Sequence, residues 1–78
     1  MARLVFLGRL EDLAGGPEME VPAGPLADIL ARLDPALATA LIGERIRIAL
    51  NGTLISENGG IVLADGDELA FLPPVSGG

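Results

Sequence analysis

The order in which two hydrophobic periods follow one another constrains this chain most. Alternation of period two runs through residues 2–8, 17–22, 44–52 and 53–56 and returns within 61–73, while a helical period occupies 24–35. Period two sends successive side chains to opposite faces of a strand; a period near 3.6 holds an apolar stripe on one side of a helix. In ARLVFLG, Leu4 and Phe6 are predicted to face inward, with Arg3, Val5 and Leu7 outward. RLEDLAGG reads as a short turn of helix stopped by glycines, with Leu10 and Leu13 on one side. PEMEVP alternates cleanly, Glu18 and Glu20 against Met19 and Val21, and forms a broad hairpin with the first strand.

GPLADILARLDP is the main helix of this reading, with Pro25 in its first turn. Leu26, Ile29, Leu30 and Leu33 recur at helical spacing, and Asp34-Pro35 breaks it. ALATALIG comes next as a second short helical piece ending at Gly43. In ERIRIALNG, Ile46, Ile48 and Leu50 share one face and Arg45, Arg47 and Ala49 the other. Asn51-Gly52 signals a tight turn into the short strand TLIS, and 57–60 reads as loop. A turn at 64–67 then leads to the last strand, with Leu69 and Phe71 inward and Ala70 and Leu72 outward.

The order is strand, strand, helix, strand, short strand, strand, with no internal repeat. One sheet on one main helix is the economical solution. A right-handed crossover after the helix is expected to set the next strand parallel to one already in the sheet. The expectation is an α+β, β-grasp (ubiquitin-like) roll with a mixed sheet packed on one main helix. The domain spans residues 1–72, and an extended tail spans 73–78.

Composition narrows the chemistry. The 78 residues include no cysteine and no histidine, so thiolate chemistry and the commonest general base and zinc ligand are excluded. Lysine is absent too, which excludes a P-loop lysine. The formal charge of −6 repels nucleic acid phosphates and suits a partner with a basic site. No apolar run approaches the ~18 residues of a membrane span and no signal peptide is visible, so a soluble cytoplasmic protein is expected.

Four features are candidate sites. Asp65, Asp67 and Glu68 group three carboxylates, but their spacing fits no complete calcium loop and suits turn chemistry. Gly59-Gly60 lacks the strand–loop–helix context of a phosphate cradle and reads as plain loop. If the first and last strands are neighbours, Val5, Leu7, Ala70 and Leu72 form an apolar patch that Ala49 and Leu54 extend. Such a face is either a partner surface or the seat of the second helical piece or a loop. The fourth feature is the ending FLPPVSGG. Pro73 and Pro74 stop the last strand and project the final residues along an extended path. Ser76-Gly77-Gly78 has almost no side-chain bulk and can thread a narrow channel, leaving the last carbonyl open to attack. The arrangement suits a terminal carboxylate activated as an acyl adenylate; the alternative is a frayed end.

LVFLGRLEDLAG, VPAGPLADILARL, IRIALNGTLI and LADGDELAFLPPVSGG together resemble the small subunits of molybdopterin synthase, within the ubiquitin-like sulfur carriers of molybdopterin and thiamine synthesis. The resemblance spans nearly the whole chain, and GDELAFLPPVSGG is its most specific part. It implies the β-grasp fold. It also implies that an ATP-dependent activating enzyme adenylates the carboxylate of Gly78. Sulfur from a sulfur-donating enzyme's persulfide then makes a thiocarboxylate. The tail enters the large synthase subunit, where the sulfur passes to cyclic pyranopterin monophosphate to build the molybdopterin dithiolene. On this view Gly78 is the only reactive residue, no cofactor is bound, and the catalytic pocket belongs to the large subunit of a heterotetramer. Pro74, Val75, Ser76 and Gly77 serve tail insertion, while Leu7, Leu54 and Leu72 meet the partner beside Val5 and Ala70. Some relatives carry aromatic residues at the positions of Leu7 and Leu72, and a basic one at Glu11. A carrier for thiamine or tRNA thiolation, a modifier joined through Gly78 to lysines, and a plain binding module are the competing readings.

Overall fold

The computed structural model describes residues 1–43, 45–55 and 60–74. The elements in chain order are β1 (Ala2–Phe6), α1 (Leu10–Ala14), β2 (Glu18–Val21), β3 (Gly24–Pro25), α2 (Leu26–Ala31), α3 (Pro35–Leu41), β4 (Arg47–Leu50), β5 (Thr53–Ile55), β6 (Val62–Leu63) and β7 (Glu68–Leu72). Five strands form one mixed sheet in the order β2-β1-β7-β4-β5, and β3 and β6 form a small separate ladder. The expected α+β β-grasp arrangement is present.

The inner face follows the alternation. Leu4, Phe6, Leu69 and Phe71 are buried on the two central strands, with Ile48 and Val21 beside them. The rings of Phe6 and Phe71 stack with centroids 5.9 Å apart, joining β1 to β7 through the core. Leu10, Leu26, Ile29, Leu37 and Leu41 close this core from the helical side.

Two details depart from the sequence reading. First, the long helix expected over 24–35 is only Leu26–Ala31. Gly24-Pro25 pairs with Leu63 and Val62 instead, leaving Pro25 extended at the N-cap rather than inside the first turn. The amides of Arg32 and Leu33 bond the carbonyls of Ile29 and Leu30, a tight closing turn that ends α2 early. Asp34 then starts α3, its carboxylate accepting from the amides of Ala36 (3.1 Å) and Leu37 (3.4 Å), with Pro35 in the first turn. Among the described residues the helical layer is thus three short helices.

Second, Leu13 is 55 % exposed, although Leu10 is buried as expected. In a helix of five residues the position stacked on Leu10 is Ala14, and Ala14 packs on the core instead. The strand after the helices does run parallel to one already in the sheet, as expected: β4 is antiparallel to β7, β7 parallel to β1 and β1 antiparallel to β2, so β4 runs in the direction of β2, while the adjacent parallel pair is β1 with β7. The central slot beside β1 goes to the strand with two fully buried side chains, Leu69 and Phe71. β4 buries only Ile48 and takes the place further out. The ladder β3–β6 has no signal at the sequence level because two residues are too few to show a period.

Candidate functional site

The outward residues of the five-stranded sheet fall into rows. Register pairs Val5 with Ala70, Ala70 with Ala49, and Ala49 with Leu54, so one apolar row crosses four strands. The next row toward the end of β7 holds Leu7, Leu72 and Arg47, with Arg47 directly opposite Leu72. Leu54 is 61 % exposed and Leu7 41 %, while Val5, Ala70 and Leu72 are partly exposed. The second helical piece does not cover this face: α3 buries Leu37 and Leu41 in the core on the opposite side. The structure therefore brings Val5, Leu7, Leu54, Ala70 and Leu72 onto one face, in agreement with the alternation.

The polar end of the face lies further along β1. Arg3 sits between Glu20 and Glu68 in register, and its guanidinium approaches Glu18 (3.5 Å) and Glu68 (3.8 Å). These ion pairs are solvent-exposed and contribute little stability. They do mark where the apolar surface stops.

β7 ends at Leu72, and the chain continues through Pro73 and Pro74, both partly buried. The amide of Leu7 bonds the carbonyl of Phe71 at 3.1 Å, carrying the β1–β7 pairing up to this exit. Gly8 then turns with φ +57°, and a Cβ there would lie 2.9 Å from Cγ of Pro73. Glycine thus serves two needs at once, a left-handed backbone and a close approach to the base of the tail. Sequence reasoning alone misses Gly8; the available signal is a glycine closing an apolar strand that pairs with a strand ending in Pro-Pro. Val75, Ser76, Gly77 and Gly78 lie outside the described residues, as do Glu44, Ser56, Glu57, Asn58 and Gly59.

The three carboxylates of the 64–68 turn are engaged in local structure. Asp65 accepts from the Met1 ammonium at 2.7 Å. Asp67 accepts from the amide of Ala64 (2.9 Å) and from Nδ2 of Asn51 (3.0 Å). These bonds, the Ala64 amide foremost, hold the Asp67 carboxyl below the usual aspartate range. Asn51 in turn accepts from the amide of Glu68 at 2.9 Å, which ties the Asn51-Gly52 turn to the start of β7. This is the turn chemistry expected of the segment. Among the described residues no helix is long and apolar enough to cross a membrane.

Comparison with known proteins places this geometry. The ThiS family model matches residues 4–78. The molybdopterin synthase sulfur carrier subunit of Escherichia coli (strain K12) is 35 % identical, with all of both chains covered. Among solved structures, the complex of subunits 1 and 2 of the molybdopterin-converting factor from Helicobacter pylori matches with a TM-score of 0.67 at 28 % identity, covering 99 % of this chain and 97 % of that one. Small archaeal modifier protein 1 from Methanosarcina acetivorans matches with a TM-score of 0.81 at 30 % identity, covering 99 % and 95 %. By sequence along its length and by fold, this chain belongs to the ThiS family of ubiquitin-like sulfur carriers.

Proposed function

We propose that this chain is the sulfur-carrier subunit of a molybdopterin synthase. The observation that carries the reading is its full-length 35 % identity to a protein of that name. In this reading a carboxylate oxygen of Gly78 attacks the α-phosphorus of ATP on an activating enzyme, and pyrophosphate leaves. The acyl adenylate gives the carbonyl a good leaving group, AMP; the terminal sulfur of a donor enzyme's persulfide displaces it to form an acyl disulfide, and a thiol reductant then attacks the donor's own sulfur, which leaves in a new disulfide and frees the thiocarboxylate. The resulting thiocarboxylate is the nucleophile that delivers sulfur to cyclic pyranopterin monophosphate.

The body of the protein contributes position rather than proton transfer. Residues 1–72 act as the docking domain and 73–78 as the arm. The apolar row Val5, Ala70 and Leu54, with Leu7 and Leu72 beside the exit of β7, is the surface on which the large synthase subunit seats, in a heterotetramer. That subunit supplies the catalytic pocket. Pro74, Val75, Ser76 and Gly77 carry the reactive end into it, and no resident cofactor is needed. The Helicobacter pylori complex, which pairs subunit 1 with subunit 2, supports a partner of this kind.

A second reading is favoured by the 30 % identity to an archaeal modifier protein: the same adenylate would pass Gly78 to an amine and form an amide. Intact mass spectrometry after incubation with ATP, activating enzyme and sulfur donor separates the two. The expected result is a gain equal to exchanging one oxygen for sulfur at Gly78, with loss of that sulfur when the large subunit and precursor are added. Removing Gly78 abolishes the gain without unfolding the domain. Retained sulfur transfer by the shortened chain would overturn the mechanism; amide-linked adducts on other proteins in place of the gain would select the modifier.

A further inference from the structure

We infer that Arg47 is the charged docking residue of this carrier, pairing with a carboxylate on the large synthase subunit beside the entrance taken by the tail. The inference rests on the proposed docking of that subunit to the open sheet face. Three observations lead to it.

Arg47 lies in the strand β4 and faces outward, exposed, while its neighbour Ile48 is buried. Its cross-strand partner is Leu72, the last residue of β7 before Pro73. Directly opposed residues in an antiparallel pair have Cβ atoms about 4.5–5.5 Å apart. The cation is thereby fixed next to the point where the tail leaves the body, on strand rather than loop.

Charge is distributed unevenly over the face. Arg3 is the cation at the other end, and it is matched by Glu18 and Glu68. Glu68 and Leu72 are the two ends of β7, so their rows are about 13 Å apart at the usual strand rise. That exceeds the Debye length of about 8 Å at physiological salt, so the Glu68 end does little to neutralise Arg47. Arg47 forms no ion pair with any described residue.

The rest of the protein is acidic, with a formal charge of −6. Glu18, Glu20 and Glu68 surround Arg3 at the far end of the apolar face, so a partner's basic groups are drawn to that end. A cation on strand at the tail exit, in no ion pair with a described residue, gives the opposite end a mark of the opposite sign. A carboxylate facing it rewards the orientation that aligns the tail, and a basic partner group there penalises the reversed one. Guanidinium also suits this position because it binds a carboxylate through two parallel N–H donors and is weakly hydrated.

The test uses the full-length chain and the large subunit, with association followed by surface plasmon resonance between low and physiological salt. Arg47→Glu, Arg47→Gln and Arg47→Lys are compared with Leu72→Asp, and each variant is checked by circular dichroism melting. Arg47→Glu is expected to slow association about tenfold at low salt, with less effect on dissociation, as reversal of a rim charge does. Arg47→Gln should remove part of the salt dependence, and Arg47→Lys should restore most of the rate. If Leu72→Asp abolishes binding while Arg47→Glu associates like the parent, the docking face stands and the role of Arg47 is overturned. If folded Leu72→Asp also binds normally, or if the parent chain does not bind the large subunit, the docking reading fails and the inference falls with it.

Discussion

The two faces of the central sheet are both apolar, yet among the described residues only one is covered. On the inner face, Leu4, Phe6, Leu69 and Phe71 are sealed by three helices. On the outer face, Val5, Ala70, Ala49 and Leu54 form a row of similar chemistry with no element of the described residues over it. Central strands with apolar residues on both sides are ordinary where both sheet faces are covered. Among the described residues the helices serve one face only, because α1, α2 and α3 all pack on the same core. The apolar outer row therefore adds nothing to this chain's own core, and the proposed docking of a partner accounts for it.

The contrast can be broken from either side. The largest effect is expected from Phe71→Ala on the inner face. Removing a fully buried aromatic ring that stacks on Phe6 should cost about 3–5 kcal/mol in urea unfolding. The whole domain has only roughly 4–12 kcal/mol by the usual per-residue figure, so the variant would be near the edge of folding. A loss under about 1 kcal/mol would mean that the core is not where the structure places it.

On the outer face, Leu54→Asp is the matching change. With the side chain 61 % exposed, stability should move by less than about 1 kcal/mol while binding to the large subunit weakens strongly. A stability loss as large as that of Phe71→Ala would show that something in the chain covers the face after all. The smallest effect lies at the edge of both faces. Asp67 has its carboxyl held below the ordinary range by the Ala64 amide and Asn51. The ionised form is therefore favoured in the folded state. Its contribution is fully present above about pH 4, the ordinary aspartate value, and is lost as pH falls through the lower folded value. Urea midpoints measured across that acid range should fall more steeply for the parent chain than for Asp67→Asn. Equal slopes would remove the turn network from the stability of β7.

Much of the fold is legible in the sequence where a period can be read over several residues. Alternation assigns Leu4, Phe6, Leu69 and Phe71 to the core, and Val5, Leu7, Ala70 and Leu72 to the outer face, because five-residue strands leave little room for another register. Asn51-Gly52 reads as a two-residue turn, and the backbone bears it out with φ values of +50° and +86°. The helical layer is less legible. Leu33 continues the apolar spacing of α2 but lies past its end, since Gly24-Pro25 is drawn into the β3–β6 ladder and Asp34 caps the next helix. Periodicity reports which side chains are apolar at each spacing, not which backbone groups find partners elsewhere.

Local chemistry is enough to specify the fold class, the inward set of the strands, and a terminal Gly-Gly placed after two prolines. Alternation, backbone restriction by proline and absent Cβ atoms act within a few residues and can be read along the chain. Which strands are neighbours is a matter of tertiary packing, and that packing joins the outward residues of β1, β4, β5 and β7 into one surface. It also brings Gly8 against Pro73 and sets Arg47 opposite Leu72. Those contacts join residues more than twenty positions apart, and no local preference encodes them. They arise because β7 fills the slot between β1 and β4, where Leu69 and Phe71 are buried and their apolar area is removed from water.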